Sequence, residues 1–286
     1  MVEPGSTGPH AASAGPAMTD PTTPERLDED VRLAERMTLP EFPLSAKYPP
    51  RWALEHLMGP NVLWLAESLG QVMDLRPGMR VLDLGCGTAL SSIFLAKEFD
   101  LQVWAVDLWI SATDNLARIR EADAEDRVFP ISAEAHALPF AEGFFDAVVS
   151  LDAYQYFGTD DLYLAYLSRL LKPGDQIGIV SPGLTAEFDA VPPHLVPYWE
   201  PDFWCFHSPA WWRRHWERSG AVTVEHADLV PRGADLWLHF SDVCTEFGYP
   251  EPGHPVDPAR DAAMLRADAG RTLAFSRVVG RRVSAP

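Results

Sequence analysis

Val81-Leu82-Asp83-Leu84-Gly85-Cys86-Gly87-Thr88-Ala89 begins as a short apolar strand and ends in a glycine loop, and Ser91 to Glu98 then has helical character. Two glycines at such a junction let the backbone turn tightly and let a ligand approach without a Cβ in the way. A dinucleotide fingerprint would place a third glycine where Leu90 stands. Asp83, at the end of the strand, would also repel a pyrophosphate. A carboxylate there suits a ligand that carries positive charge.

Downstream, Gln102-Val-Trp-Ala-Val-Asp107 reads as a second strand that ends in an acid twenty residues after Gly87. Such an acid can accept two hydrogen bonds from vicinal ribose hydroxyls, and charge-assisted bonds are about twice as strong as neutral ones. Asp83 beside the glycines and Asp107 together describe a pocket for a nucleoside with a cationic, amino-acid-like tail. Beyond them, strands are expected at 128–131, 145–151, 176–180, 221–226 and 272–279, with helices at 112–121 and 160–171. Lys172-Pro173-Gly174 is expected to turn the chain between helix and strand. This alternation predicts an α/β fold, a doubly wound and mostly parallel sheet with helices on both faces. Ligands of such sheets bind at the carboxyl edge of the strands.

The rest of the chain supports a globular reading. Of 286 residues, 47% are hydrophobic and 22% charged, enough apolar material for a sizeable core. The formal charge of −18 argues against partners with phosphate backbones and against anionic lipid surfaces. Cys86, Cys205 and Cys244 are far apart and form no CxxC pair, so neither a zinc site nor a disulfide framework is expected. No basic cluster followed by an apolar run opens the sequence, and no window is apolar enough to span a membrane. A cytoplasmic setting is the expectation. Residues 1–38, rich in Pro, Ala and acids, are expected to be a disordered tail, in which Arg26 to Met37 reads as a frayed helix. One domain should then occupy 39–286, with a helical cap at 42–78 and insertions at 184–207 and 228–270.

The motifs resemble those of class I S-adenosylmethionine-dependent methyltransferases, in the small-molecule branch that includes the ubiquinone and menaquinone biosynthesis enzymes. VLDLGCGTA matches the family's glycine motif, with Ala89 in place of a usual third glycine, and Asp107 matches its ribose-binding acid. Glu134-Ala135, shortly before Leu138-Pro139-Phe140, falls on the adenine motif, with Glu where Asp is usual. FDAVVSLDAYQYF and LLKPGD fall on the motifs at the fourth strand and before the fifth. The resemblance is close over about residues 75–183 and loose over 208–279. It implies a Rossmann-like seven-stranded sheet, its last strand antiparallel and inserted beside the sixth, with helical and aromatic lid insertions. It also implies S-adenosyl-L-methionine as cofactor, a small-molecule methyl acceptor, and no metal.

On that reading the cofactor would meet Asp83, Gly85, Cys86, Gly87, Asp107 and Leu108. Glu134, Ala135 and Ser150 join this set, and Tyr48 is expected to fold over the cofactor from the cap. Methyl transfer is an in-line displacement, so alignment is the main contribution of the protein. A base is needed only where the nucleophile carries a proton near neutral pH. Asp152, just past the fourth strand, is the candidate base or amine holder; capping the next turn is its other reading. Tyr154 and His207 are candidates for the acceptor channel, against roles as packing residues. Trp199, Trp204, Trp211, Trp212 and Trp216 form either an aromatic lid, a helix packed on the sheet, or a face for a second copy in a homodimer. A cyclase or decarboxylase that retains the cofactor, a nicotinamide oxidoreductase and a noncatalytic binding module are the competing classes.

Overall fold

The computed structural model describes residues 23–251 and 254–283. Its centre is β1 (Arg80–Leu84), whose four residues after Arg80 are all buried. Beside it lie β2 (Gln102–Asp107) and β3 (Val128–Ser132) on one side, and β4 (Phe145–Leu151) and β5 (Leu171–Leu184) on the other. With β6 (Val222–Leu229) and β7 (Leu273–Arg282) they form one seven-stranded sheet in the order β3-β2-β1-β4-β5-β7-β6. The first five strands run parallel, and β7 runs antiparallel between β5 and β6. The expected Rossmann-like α/β sheet is therefore present, including the inserted last strand.

Side-chain alternation along the strands feeds two cores. Val81, Val103, Ala105 and Val149 point to the layer that holds α3 (Val62–Gly70) and α4 (Leu90–Phe99). Leu82, Val106 and Val148 point to the other layer, filled by α6 (Tyr163–Ser168) and α7 (Pro209–Ser219). Ser208 caps α7 by accepting a hydrogen bond from the Trp211 amide, with Pro209 at the first helical position. The helix lays the fully buried Trp212 and Trp216 on the sheet, so these two tryptophans are core rather than lid.

Two expectations are corrected. Residues 24–37, assigned to a disordered tail, form α1 (Pro24–Met37), which buries Leu33 and Met37. Its amphipathic spacing gives it an apolar face that α2 (Pro50–Glu55) and α8 (Gly233–Glu246) cover. The remainder of that tail, residues 1–22, lies outside the described residues. The turn at Lys172-Pro173-Gly174 is a bulge inside β5: pairing with β4 passes from Phe145↔Leu171 to Ala147↔Gln176. Proline has no amide for the ladder, and a bulge tolerates that loss; Lys172 pairs with Asp146 there. The insertion at 228–270 is helical, with α8 and α9 (Pro258–Asp268) filling most of it. α5 (Ala112–Glu121), between β2 and β3 in the chain, packs against the edge strand β3. Among the described residues no helix is long and apolar enough to cross a membrane.

Candidate active site

The carboxyl ends of β1, β2 and β4 open into a cavity of about 370 Å³. Its floor is the loop from Gly85 to Thr88. Gly85 (φ 74°) and Gly87 (φ 54°) take the left-handed conformation, which glycine reaches without strain. A Cβ on Gly85 would stand 2.4 Å from that of Ala153, so the loop packs too closely against the β4 exit for any side chain. The left-handed Ala89 (φ 66°) then delivers the chain into α4.

Asp107 stands at the tip of β2 and is held there by three amides. Its Oδ2 accepts from Gly87 N–H at 2.8 Å, and its Oδ1 accepts from Trp109 at 2.8 Å and Ile110 at 2.9 Å. The carboxylate is thus locked to both loops while it still lines the cavity. Further along the wall, Glu134 accepts from the backbone and ring nitrogens of His136 at 2.8 and 2.7 Å. That hydrogen bonding holds its carboxyl below the usual range.

Of the residues singled out from sequence, Gly85, Cys86, Gly87, Asp107, Leu108, Glu134, Ala135 and Asp152 converge on this cavity. Five others do not. Asp83 is fully buried behind the loop, where Ser91 and Ser92 donate to its Oδ2 at 2.6 Å each. Burial raises its carboxyl to about 6. Ser150 is equally buried and donates to the Leu84 carbonyl at 2.7 Å. Tyr48 hydrogen-bonds Glu98 and stacks on Trp52 at 5.9 Å, outside the cavity. Tyr154 turns inward in a short 3-10 turn and packs against Trp212 and Trp216 on the far side of the sheet. His207 stacks on Trp211 at 3.6 Å and contacts Glu187 at 3.0 Å, again away from the cavity. Trp199 and Trp204 also lie outside the lining.

The opposite wall comes from the segment 53–62 and from Phe240 on α8, none of them anticipated as site residues. Thr88 donates to the His56 carbonyl at 2.6 Å, Met58 covers Gly87, and Gly59 lies against the carboxyl of Asp152. The breaker pair Gly59-Pro60, three residues after His56 in EHLMGP, is the one sequence signal that marks this stretch of chain as a loop over the site.

Asp152 has the left-handed φ of 54°, a conformation uncommon outside glycine, asparagine and aspartate. It receives the Gln155 side-chain amide on Oδ1 at 3.3 Å. Burial pushes its carboxyl up to about 7, against the opposing effect of Gln155. Near neutral pH this group exchanges protons readily. Tyr156, four residues farther on, is exposed at the cavity mouth with Leu108 and Trp109.

Residues 81–174 match the family described as a methyltransferase domain. The chain is similar to class I S-adenosylmethionine-dependent methyltransferases. Among curated proteins, it is 26% identical over 201 residues to methyltransferase GfsG of Streptomyces halstedii, covering 68% of this chain and 64% of that one. It is 29% identical to the ubiquinone/menaquinone biosynthesis C-methyltransferase UbiE of Bordetella avium, over 54% of this chain and 57% of that one. The alignments therefore span less than two thirds of either relative. In fold, the chain resembles phosphoethanolamine N-methyltransferase 2 of Haemonchus contortus, solved with S-adenosyl-L-methionine (TM-score 0.67, 19% identity, 82% of this chain and 56% of that one). It also resembles the [4+2]-cyclase SpnF (TM-score 0.63, 17% identity, 78% of this chain and 81% of that one).

Proposed function

We propose that this chain transfers the methyl group of S-adenosylmethionine to a small-molecule acceptor. The observation that carries this reading is the amide-locked carboxylate of Asp107 beside a glycine floor, in a cavity whose described lining contains no Lys or Arg. A phosphate-bearing nucleotide would meet acids and no compensating cation there. A sulfonium nucleoside has no phosphate to place, and its ribose hydroxyls can donate to the carboxylate.

In this reading Asp107 holds the ribose, and Glu134 and Ala135 lie beside the adenine. The backbone of Gly85 to Gly87 passes the amino-acid tail at close range. Leu108 covers one face of the adenosyl group. Asp83 acts from behind, fixing the start of α4 through its two serine bonds. S-adenosylmethionine supplies an electrophilic methyl and a neutral thioether leaving group. Asp152 and Tyr156 border the remaining space, where the acceptor must sit. Alignment of the two reactants in a water-poor cavity supplies up to about 7–11 kcal/mol of the barrier reduction.

The net charge of −18 supports a metabolite over a nucleic acid as acceptor. Three free cysteines support a reducing, cytoplasmic setting. Titration calorimetry with S-adenosylmethionine and S-adenosylhomocysteine tests the reading, and absence of binding by either overturns it. The fold likeness to the SpnF cyclase favours one second reading, a chain that binds the cofactor without consuming it. Formation of S-adenosylhomocysteine together with a methylated product separates the two.

A further inference from the structure

The wall that completes the cavity carries one side chain with no role in the reading above. His56 ends α2 and lines the acceptor side of the cavity. Its Nδ1 lies 2.9 Å from the Trp52 carbonyl. A carbonyl can only accept, so Nδ1 carries the proton, and in the neutral ring Nε2 is left with a lone pair. No described residue bonds Nε2. The ring also tilts against the Trp52 indole at 5.7 Å, and the backbone carbonyl of His56 takes the Thr88 hydroxyl at 2.6 Å. The Thr88 bond ties the His56 backbone to the loop that would carry the methyl donor.

Asp107, Glu134, His136 and Asp152 on this wall each already hold a partner, although Oδ2 of Asp152 makes no hydrogen bond among the described residues. Asp107 has three amides on its two oxygens. Glu134 and His136 bond each other on the adenine side. Asp152 has Gln155 on Oδ1, and its Oδ2 is pressed so close to Gly59 that a Cβ there would stand 2.2 Å away. Burial keeps the thiol of Cys86 and the phenol of Tyr156 protonated. The acceptor side is otherwise apolar, with Leu57, Met58, Phe157 and Phe240, and offers no cation to an anionic acceptor.

Resting on the methyltransferase reading, we propose that the acceptor is an uncharged, largely apolar hydroxyl compound, and that His56 Nε2 takes the hydroxyl proton. The acceptor oxygen bonds to the methyl carbon as the methyl–sulfur bond breaks. That bond's electron pair goes to sulfur, turning the sulfonium into a thioether, while the O–H proton passes to the imidazole. An amine arriving with a free lone pair would need no such base, and a diphosphate would face Asp152 without a counter-charge.

The test uses the full chain, S-adenosylmethionine with a tritiated methyl, and the small-molecule extract of source cells separated by ion exchange into neutral, anionic and cationic fractions. Label should appear from the neutral fraction, as a methyl ether. Transfer to an anionic or cationic acceptor, or to carbon or nitrogen, overturns the proposal and leaves the methyltransferase reading standing. Binding of the donor with no transfer to any fraction overturns both. With the acceptor in hand, His56→Ala and His56→Gln should keep donor affinity within about threefold and lose about 100-fold in kcat. Added imidazole should restore part of the rate to His56→Ala only. Full activity in both variants, or a loss in His56→Ala that imidazole leaves unchanged, assigns the proton elsewhere. Should His56→Ala fail to bind donor, His56→Gln, which keeps a planar polar group there, decides the same question.

Discussion

Gly59 and Asp152 meet across the cavity so closely that the glycine's missing Cβ is the space the aspartate's Oδ2 occupies: a Cβ there would come within 2.2 Å of it. The contact joins the N-terminal segment to the exit of β4. Gly59→Ala should therefore swing the carboxyl out of place without touching the nucleoside side. We expect methyl transfer to fall by at least about tenfold while S-adenosylmethionine affinity changes by less than about threefold. Parallel calorimetry and labelled-methyl assays measure both, and an equal drop in the two would contradict the separation.

Asp107 organises the site and is placed to bind the ligand. Asp107→Ala removes the acceptor for the amides of Gly87, Trp109 and Ile110 together with the proposed ribose contacts. Cofactor affinity should weaken by at least about tenfold. An unchanged dissociation constant in calorimetry would remove Asp107 from the cofactor site.

Asp83 makes stability depend on pH in an unusual direction. Its folded carboxyl titrates near 6, above the roughly 3.9 of an unfolded aspartate, because burial disfavours the charge. The folded state then binds more protons than the unfolded state between those values, so stability falls as pH rises through them. The loss amounts to about 2–3 kcal/mol once pH passes the folded value. Asp83→Asn cannot ionise, so its destabilisation relative to the parent should be smaller at about pH 7.5 than at about pH 5. Urea melts at the two pH values measure this, and equal differences would mean that Asp83 ionises normally.

His207 lies outside the cavity, stacked on Trp211 and bonded to Glu187. His207→Ala should leave both donor affinity and methyl transfer within about twofold of the parent. A tenfold loss in kcat would show that the loop around residue 207 closes over the acceptor during turnover.

The parts of this protein that the sequence discloses are those in which one short segment suffices. The glycine loop, the acid ending β2 and the alternation of strands and helices depend on local spacing, and they appear where expected. The acceptor wall is different. His56, Met58 and Phe240 reach the cavity only because the 53–62 segment and α8 fold back over the carboxyl edge, a long-range event with no local signal beyond Gly59-Pro60. Tyr154 misled for a related reason. Both its neighbours, Asp152 and Tyr156, face the cavity, but the left-handed turn at Asp152 and the 3-10 turn after it send the ring between them to the opposite core. The tryptophans of 211–216 offered no way to tell lid from core until the sheet beneath α7 was in place.

The position of β7 bears on how the chain comes to be folded. β6 has no hydrogen-bonded neighbour except β7, and β5 meets β6 only through it. On the ribosome, the first five strands can pair as they emerge, yet β6 and the α7 tryptophans must wait, with apolar surface uncovered, until residue 282 has been made. The sheet closes like a zip from its far end, so nascent chains stalled before Leu273 should be the species that chaperones hold.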